Sequence, residues 1–357
     1  MSAINIIRPE IRALAAYHVQ PSEGMVKLDA MENPFGFPPD LRAGLAETLA
    51  NASLNRYPPA GAEELKASIR AAMKIPAELD ILLGNGSDEI IQLVAMASAK
   101  PGAALLSVEP AFVMFNMIAT FCGLRYVGIP LRADFSLDVD ALIAAIKREK
   151  PAITFIAYPN NPTGNLFEHA GVLAAIEAAN EYGGLVVIDE AYFAFASESF
   201  LDEIAQFPNA VLMRTVSKLG LAGIRLGILV GRREWLNEFD KLRLPYNINA
   251  LTQAAGRFAM QHYAALLAQA AVLRLERARV RGALAQLPAM QVFPSEANFV
   301  LVRLADAGKT FAGLLSRRIL VKNTSKSHPL LADTLRITIG APDENDALID
   351  ALHAMNH

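Results

Sequence analysis

The sequence predicts an α/β protein built around a mainly parallel β-sheet. Apolar runs of strand length alternate with helical patterns through the middle of the chain, which is the rhythm of β-α-β units. The runs are apolar at nearly every position, as expected of strands that helices cover on both faces. With 357 residues, 53% of them hydrophobic, the chain can form a large core and a second, smaller unit.

Five apolar runs are the strand candidates of the larger unit. They are Ala103–Val108, Ile153–Ala157, Leu185–Ile188, Val211–Thr215 and Ile224–Val230. The helical patterns around them are Ser87–Ala99, Ala111–Phe121, Val139–Lys147 and Glu168–Tyr182. A helix between consecutive strands provides the crossover that parallel pairing requires, so the sheet is predicted to be mainly parallel.

The rhythm changes near Leu244 and Pro245, where a second unit is predicted to begin. A helical region rich in Ala, Leu and Arg extends from about Asn249 to Leu287. Later strand candidates are Asn298–Arg303, Ile319–Lys322 and Leu335–Ile339, and a last helix follows Pro342. We therefore predict an N-terminal arm at residues 1–28, a large domain at 29–243 and a small α+β domain at 244–357.

Composition and charge argue against several classes of protein. The formal net charge is −3 without a long run of one sign, which disfavours nucleic-acid binding and a polybasic membrane surface. The only cysteine is Cys122, so a disulfide framework is excluded and a reducing cytoplasm fits. The first residues lack a signal-peptide pattern, no apolar stretch has membrane-spanning length, and the six histidines lack metal-ligand spacing. We expect a cytoplasmic protein without a metal.

The segment Thr215–Arg225 gives the strongest indication of chemistry. Lys218 follows Ser217 in a turn of small residues, and Arg225 comes a few positions later. Such a lysine can bond to a phosphorylated aldehyde as an imine while the serine and the arginine hold the phosphate. A Ser-Lys pair on a solvated surface is the alternative interpretation.

Two turns that follow strand candidates can bind a ligand. Gly84–Glu89 opens a helix, where free N–H groups and the helix dipole favour a phosphate. Ser87 and Asp88 also suit an ordinary helix cap, and any phosphate contact from Asp88 is expected from its backbone N–H. Tyr158–Gly164 follows a strand directly, and its Asn161 can either direct an amide to a ligand oxygen or only shape the loop.

An acidic strand end is a further candidate. Leu185–Tyr192 is an apolar strand that ends in Asp189 and Tyr192, and ligands of open α/β sheets lie at such carboxyl ends. Asp189 can pair with a protonated ring nitrogen, and Tyr192 can donate to a ring oxygen. A nucleotide-magnesium site is disfavoured because no Gly-x-x-x-x-Gly-Lys-Ser/Thr loop precedes the strand, and a purely structural acid is the other alternative. Phe112 can stack on a ring or belong to the core.

Two residues outside these segments are also candidates for binding. Arg336 lies in an apolar strand, where a charged side chain needs a partner, and its planar fork fits a carboxylate or a phosphate. An ion pair inside the small domain is the alternative. Tyr57 lies in the turn-rich Asn55–Pro59 and is either a surface residue or a contact to a neighbouring subunit.

Taken in order, these segments resemble aminotransferases of the aspartate-aminotransferase fold, which use pyridoxal 5'-phosphate. The sequence is most similar to the histidinol-phosphate aminotransferases, and the similarity covers nearly the whole chain. The segments that carry it are Arg8–Leu14, Tyr17–Val19, Leu28–Gly36, Asn55–Pro58, Gly84–Glu89, Asn160–Gly164, Asp189–Tyr192, Ser217–Lys218 and Leu335–Gly340. The resemblance implies a fold-type-I transferase with a mixed, mainly parallel seven-stranded sheet in the large domain.

The resemblance also implies how the cofactor is bound. Lys218 forms the imine and later moves a proton, and Asp189 pairs with the pyridine nitrogen. The other implied contacts are Asn161 and Tyr192 to the phenolic oxygen, Phe112 to the ring face, and Ser217, Arg225 and the backbone at Ser87 and Asp88 to the phosphate. Tyr57 reaches the cofactor phosphate of the other subunit, so a homodimer with shared active sites is implied.

For the substrates, the resemblance implies that Arg336 binds an anionic group, with Tyr17 and Lys322 nearby. Histidinol phosphate lacks a carboxylate, but its phosphate can occupy the anion position that a carboxylate of glutamate takes in the other half-reaction. One site then serves histidinol phosphate and the glutamate/2-oxoglutarate pair in a ping-pong cycle.

Three positions depart from the pattern of the family. The interval from Lys218 to Arg225 is one residue shorter than in many relatives, Phe112 replaces a frequent tyrosine, and Lys322 replaces a frequent arginine. Lysine cannot reproduce the bidentate fork of arginine, so this departure weakens the role assigned to Lys322 more than it weakens the family resemblance.

Three alternative functions stay open at the level of sequence. An aromatic amino-acid aminotransferase and a threonine-phosphate decarboxylase-like enzyme are related in fold. A non-catalytic regulator that binds pyridoxal phosphate is disfavoured, because the sequence has neither a basic patch nor spare length for a DNA-binding domain.

Overall fold

Two β-sheets organise the protein, which a computed structural model describes for residues 6–16 and 20–355. The strands are β1 (Val26–Leu28), β2 (Asp80–Gly84), β3 (Ala104–Glu109), β4 (Arg125–Pro130), β5 (Ile153–Ala157), β6 (Leu185–Asp189), β7 (Ala210–Thr215), β8 (Gly227–Gly231), β9 (Gln291–Val292), β10 (Phe299–Arg303), β11 (Ile319–Asn323) and β12 (Thr334–Thr338). The helices are α1 (Pro9–Arg12), α2 (Pro39–Ala50), α3 (Glu63–Met73), α4 (Ser87–Ser98), α5 (Met114–Cys122), α6 (Val139–Glu149), α7 (His169–Asn180), α8 (Arg233–Asp240), α9 (Ala250–Gln261), α10 (Tyr263–Leu284), α11 (Ala307–Ser316) and α12 (Pro342–Met355).

The larger sheet has seven strands in the order β2-β8-β7-β6-β5-β3-β4. The five strands from β7 to β4 run parallel to one another, whereas β8 is antiparallel to both of its neighbours. The predicted mixed, mainly parallel seven-stranded sheet is therefore confirmed.

Helices cover both faces of this sheet, and β6 shows the consequence for its sequence. Leu185 and Val187 belong to one apolar cluster, which includes residues of α4 and α5. Val186 and Ile188 belong to the other cluster, which includes residues of α6 and α7. Because successive side chains of a strand point to opposite faces, every position of β6 is buried, and the four positions from Leu185 to Ile188 are apolar.

The second sheet has the order β1-β11-β12-β10-β9. Its strands pair antiparallel except for β1, which runs parallel to β11 from Val26 opposite Ile319 to Leu28 opposite Val321. The division of the chain at residues 28 and 243 stays a prediction. The predicted arm contributes β1 to the second sheet.

Several elements differ from the sequence expectations, which also do not include the short strands β1 and β9. β8 begins at Gly227 rather than at Ile224, because Ala222–Ile224 form a 3-10 turn and Arg225 has a left-handed backbone with φ of +49°. The long helical region divides at His262 into α9 and α10. The sequence pattern does not predict β4, an edge strand in which Arg125 is exposed and the polar and glycine positions interrupt the apolar run.

Candidate active site

The inner cavity lies where parallel strands of the larger sheet end. Its volume is about 220 Å³, and its walls include the last residues of β5, β6 and β7. It brings together every predicted cofactor residue except Tyr57, namely Ser87, Asp88, Phe112, Asn161, Asp189, Tyr192, Ser217, Lys218 and Arg225. The remaining lining residues are Ala30, Met31, Glu32, Ala157, Ala191, Thr215 and Ala222. Carboxyl ends of parallel strands are the expected place for a ligand of an open α/β sheet.

Lys218 lies in a 3-10 turn directly after β7. Its Nζ donates a hydrogen bond to the carbonyl oxygen of Ala30 at 3.1 Å, which joins two segments that are 188 residues apart. Burial, followed by the charge of Arg336, lowers the pKa of the Lys218 ammonium to about 8. The amine is therefore available in its neutral, nucleophilic form at mildly alkaline pH.

Asp189 is the last residue of β6 and is 5% exposed. Its Oδ1 accepts a hydrogen bond from the backbone N–H of Ala191 at 3.0 Å. Burial raises the pKa of the carboxyl to about 7, and the neighbouring charges of Asp88 and Glu190 also raise it. A cation placed against this carboxylate would offset the cost of burying its charge.

The turn before α4 has the features of an anion site. Gly86 caps the helix with φ of +87°, and a Cβ at this position would collide with the guanidinium of Arg225. Arg225 also donates to Oδ2 of Asp88 at 3.4 Å, so the side chain of Asp88 pairs with the guanidinium at this turn. Ser217 lies nearby in the wall, and its Oγ is 2.9 Å from Oγ1 of Thr215. Helix N–H groups, a hydroxyl and a guanidinium together suit a phosphate.

The outer cavity adjoins the inner one and has a volume of about 370 Å³. Met31, Phe112 and Asn161 line both cavities, so one ligand can extend through the two. The outer walls also contain Lys322 on β11 and Arg336 on β12. The two strands pair so that these residues lie opposite each other. Arg336 donates to Oδ1 of Asn161 at 2.7 Å and to the carbonyl oxygen of Asp29 at 2.9 Å.

Tyr192 and Phe112 form apolar parts of the walls. Tyr192 is 4% exposed and packs edge-on against Phe299, with 5.2 Å between the ring centroids. Phe112 packs edge-on against the buried Phe115 at 5.7 Å while it faces both cavities. A flat ring in the inner cavity would therefore meet an aromatic side chain.

Two predicted residues lie apart from this group. Tyr57 is 80% exposed, stacks on Tyr246 at 4.5 Å and borders a separate cavity, so in the single chain it does not meet the others. Tyr17 lies outside the described residues. The roles predicted for both remain predictions.

A buried ion pair lies directly behind the inner cavity. The carboxylate of Glu190 accepts hydrogen bonds from Nε and Nη2 of Arg214 at 3.0 and 2.8 Å, and from the backbone N–H of Phe200 at 2.7 Å. Ser199 Oγ bonds to both partners. Because Glu190 follows Asp189 and Arg214 precedes Thr215, this network ties together the ends of β6 and β7.

Sequence reasoning did not identify several polar residues at the site. Glu109 and Tyr126 line the outer cavity with His328, and Arg214 belongs to the buried ion pair. Glu109 could have been predicted from the sequence, because it is the last residue of a strand of the parallel sheet, as Asp189 is. Tyr126 and His328 carry no such signal, because their places depend on the edge strand β4 and on the loop after β11.

The donor set of the inner cavity fits pyridoxal phosphate. A buried carboxylate suits a protonated pyridine nitrogen, the amine of Lys218 suits an aldehyde, and the turn at Gly86 with Arg225 suits a phosphate. Within residues 6–16 and 20–355, no group of three or more His, Cys, Asp or Glu side chains is placed to hold a metal ion. Over the same ranges, the helices are too short or too polar to span a bilayer.

The fold and the cavities define an aminotransferase, and the comparison with known families agrees. The chain belongs to the aminotransferases of class I and II, whose family model matches residues 23–352. It is 55% identical over 347 residues to the histidinol-phosphate aminotransferase of Chromobacterium violaceum, a match that covers 97% of each chain.

Solved structures show the same fold. The histidinol-phosphate aminotransferase from Clostridium acetobutylicum superimposes with a TM-score of 0.84 at 25% identity, over 92% of this chain and 98% of the other. The histidinol-phosphate aminotransferase from Sinorhizobium meliloti in complex with pyridoxal-5'-phosphate gives a TM-score of 0.83 at 23% identity, over 99% of each chain. At these levels of identity, the structures establish the shared architecture.

Proposed function

We propose that this protein is a pyridoxal-phosphate-dependent histidinol-phosphate aminotransferase of histidine biosynthesis. It exchanges an amino group between histidinol phosphate and 2-oxoglutarate, giving imidazole-acetol phosphate and glutamate. The observation that carries the proposal is the joining of two cavities through Asn161. One cavity contains Lys218 and Asp189, and the other contains Arg336. Relatives named histidinol-phosphate aminotransferase, 52–55% identical over almost the whole chain, support this substrate.

The residues of the inner cavity would hold the cofactor as follows. Asp189 would bind the ring nitrogen, Asn161 and Tyr192 the phenolic oxygen, and Phe112 one face of the ring. Ser217, Arg225 and the first N–H groups of α4 would bind the phosphate. When bound, pyridoxal phosphate supplies an aldehyde that combines with amines and a ring that accepts electrons from the carbon beside the amine.

Lys218 would act as the base and acid of the reaction. Its Nζ, neutral over much of the range above pH 8, would take the proton from the amine-bearing carbon of the substrate. The same atom would then return a proton, and water would supply the oxygen of the oxo product while the amino group stays with the cofactor. Its hydrogen bond to Ala30 holds the side chain at the wall of the cavity before a substrate enters.

Arg336 would bind the anionic group of each substrate in turn. Its guanidinium is oriented by Asn161 and by the carbonyl of Asp29, and it stacks 5.5 Å from the ring of Phe299. The phosphate of histidinol phosphate and a carboxylate of 2-oxoglutarate can then use the same position in a ping-pong cycle.

A cytoplasmic homodimer with shared active sites is part of the proposal. Tyr57 and Tyr246 form an exposed aromatic pair, and Leu54 and Leu244 near them are each 72% exposed. An exposed apolar group of this kind is typical of a subunit interface. Sedimentation of the purified protein tests it: a monomer at working concentrations with full turnover would rule out the shared site.

The test of the reaction is a coupled assay. Purified protein with added pyridoxal phosphate, histidinol phosphate and 2-oxoglutarate is expected to form glutamate. Phenylalanine as the amine donor and release of CO₂ are measured in parallel, because they report the aromatic aminotransferase and the decarboxylase. Absence of glutamate combined with rapid turnover of another amine would exclude the proposed function.

A further inference from the structure

The outer cavity contains an acidic side chain that the reaction above does not use. Glu109 ends β3 and lines this cavity together with Phe112, Lys322 and Arg336. Its side chain is 32% exposed, so a ligand in the cavity can reach it. Within the described part of the chain, no lysine or arginine lies within salt-bridge distance of its carboxylate.

Neighbouring residues hold this carboxylate in place. Gly128 on β4 lacks a Cβ, and a Cβ there would collide with the carboxylate of Glu109. Tyr126, also on β4, lines the cavity beside Glu109. Burial raises the pKa of Tyr126, and the charge of Glu109 raises it further, so the hydroxyl stays a donor. The carboxylate is thus packed across the neighbouring edge strand.

His328 approaches the same carboxylate from the second sheet. Its Nδ1 accepts a hydrogen bond from the backbone N–H of Leu330 at 3.1 Å, which places the ring proton of the neutral form on Nε2. Nε2 lies 3.8 Å from Oε2 of Glu109, too far for a direct hydrogen bond. The N–H of the His328 imidazole is therefore near the carboxylate of Glu109 without bonding to it. The carboxylate oxygens can still accept a hydrogen bond from a ligand.

We propose that Glu109 recognises the imidazole ring of the substrate by accepting a hydrogen bond from a ring N–H. This inference rests on the proposed function. It assigns a binding partner to the imidazole ring of histidinol phosphate, for which the proposed function names none. The amine is placed at Lys218 and the phosphate at Arg336, so the ring is the group that remains for the outer cavity. An imidazole carries at least one N–H in either protonation state.

The assignment predicts that the site discriminates against an aromatic amino acid. A phenyl ring in the outer cavity would displace water from Glu109 and offer no hydrogen bond in return. Binding of such a ligand leaves the carboxylate of Glu109 without a hydrogen-bond partner. Sites of this kind discriminate strongly against ligands that lack the N–H. Glu109 is therefore a residue that determines specificity rather than one that takes part in proton transfer.

The experiment compares Glu109→Leu and Glu109→Gln with the wild type, all loaded with cofactor. The ligands are imidazolylpropyl phosphate and phenylpropyl phosphate, which lack the amine and cannot react, and calorimetry measures their binding. Glu109→Leu is expected to weaken binding of the imidazolyl compound by roughly 10- to 100-fold and to strengthen binding of the phenyl compound, because no carboxylate is then left unpaired. Glu109→Gln keeps an acceptor oxygen and the side-chain volume. Its affinity for the imidazolyl compound is expected to lie between those of the wild type and Glu109→Leu.

Glu149→Gln is the matched control, because it removes the same charge at the end of α6, where Glu149 pairs with Arg125 outside both cavities. It is expected to leave both affinities unchanged. Turnover gives the second readout: the ratio of kcat/KM for histidinol phosphate to that for phenylalanine should fall in Glu109→Leu by a similar factor. The glutamate half-reaction involves no ring and should change little.

The possible outcomes separate this inference from the proposed function. A wild type that forms no glutamate from histidinol phosphate disproves the function, whatever calorimetry shows. A wild type that turns over histidinol phosphate, with a Glu109→Leu protein that keeps its preference for the imidazolyl compound, disproves the role of Glu109. Equal binding of the two analogues by the wild type also disproves it.

Discussion

The two cavities differ in how their polar side chains are held. Behind the inner cavity, Glu190 and Arg214 are almost inaccessible to solvent and bond to each other and to Ser199. In the outer cavity, Glu109 keeps a third of its side chain exposed, and Lys322 is exposed. Strand ends of one sheet form the inner floor, whereas the outer walls combine the two sheets. The difference indicates a rigid place for the chemistry and an adaptable place for substrate selection.

The largest effect is expected at the centre of the inner cavity. Lys218→Ala removes the amine proposed to combine with the cofactor and to move the proton, so formation of glutamate should fall by at least about 10³-fold. Lys241→Ala, which removes an exposed lysine of a surface ion pair, is the control and should keep full turnover. A Lys218→Ala protein with near-normal turnover would contradict the whole assignment.

The buried ion pair behind the cavity is expected to dominate stability. Arg214→Met leaves the carboxylate of Glu190 buried without its cation, and should lower the free energy of unfolding by roughly 3–5 kcal/mol. Arg233→Met breaks the exposed pair with Asp80 and should change the free energy of unfolding far less, because solvent screens that pair. Urea unfolding of both proteins measures the contrast. Equal losses would show that the two kinds of ion pair do not differ as the structure indicates.

A pH-dependent effect is expected at Asp189 in the protein without cofactor. Because the folded pKa is raised from 3.8 to about 7, the protonated carboxyl favours the folded state, and this contribution is fully present below about pH 4. It is lost as the pH rises through 7, and the loss is on the order of 2–4 kcal/mol. The difference in stability between the wild type and Asp189→Asn should therefore change between pH 4 and 7. Parallel curves for the two proteins would contradict this.

The smallest effect is expected at the exposed wall of the outer cavity. Lys322 contributes one charge near the anion position but no bidentate fork, so Lys322→Ala should raise KM for 2-oxoglutarate by only about fivefold or less. Lys322→Arg tests whether the departure from the family pattern matters and should lower KM modestly. A fall in kcat in either variant would place Lys322 closer to the chemistry than the structure does.

The sequence predicts the large sheet well because its signal is local. Each position of β6 is buried, so the whole run from Leu185 to Ile188 is apolar and the strand is recognisable without its neighbours. The edge strand β4 lacks this signal, since Arg125 is exposed and the positions at Tyr126 to Gly128 are only partly buried. A strand that is buried on both faces can be predicted from its continuous apolar run. An exposed edge strand lacks that run and is therefore missed.

The candidate site is predictable to the extent that a residue lies at a strand end or in a distinctive turn. Asp189 and Lys218 meet these conditions, and both line the inner cavity. The contact of Lys218 with Ala30 and the approach of His328 to Glu109 join distant segments, and no local pattern encodes them. Arg225 shows the same limit, because its left-handed backbone interrupts an apolar run that by itself indicates a strand.

The parallel pairing of β1 with β11 has a consequence for the order in which the parts of the nascent protein can fold. Val26 lies opposite Ile319, so an early segment of the nascent chain must wait for one of the last strands before it can pair. The seven-stranded sheet contains no residue beyond Gly231 and can form while that segment is still unpaired. Ala30 and Met31, which follow β1, therefore close over Lys218 only late in synthesis, and a chain interrupted before β11 would have the floor of the cavity without this wall.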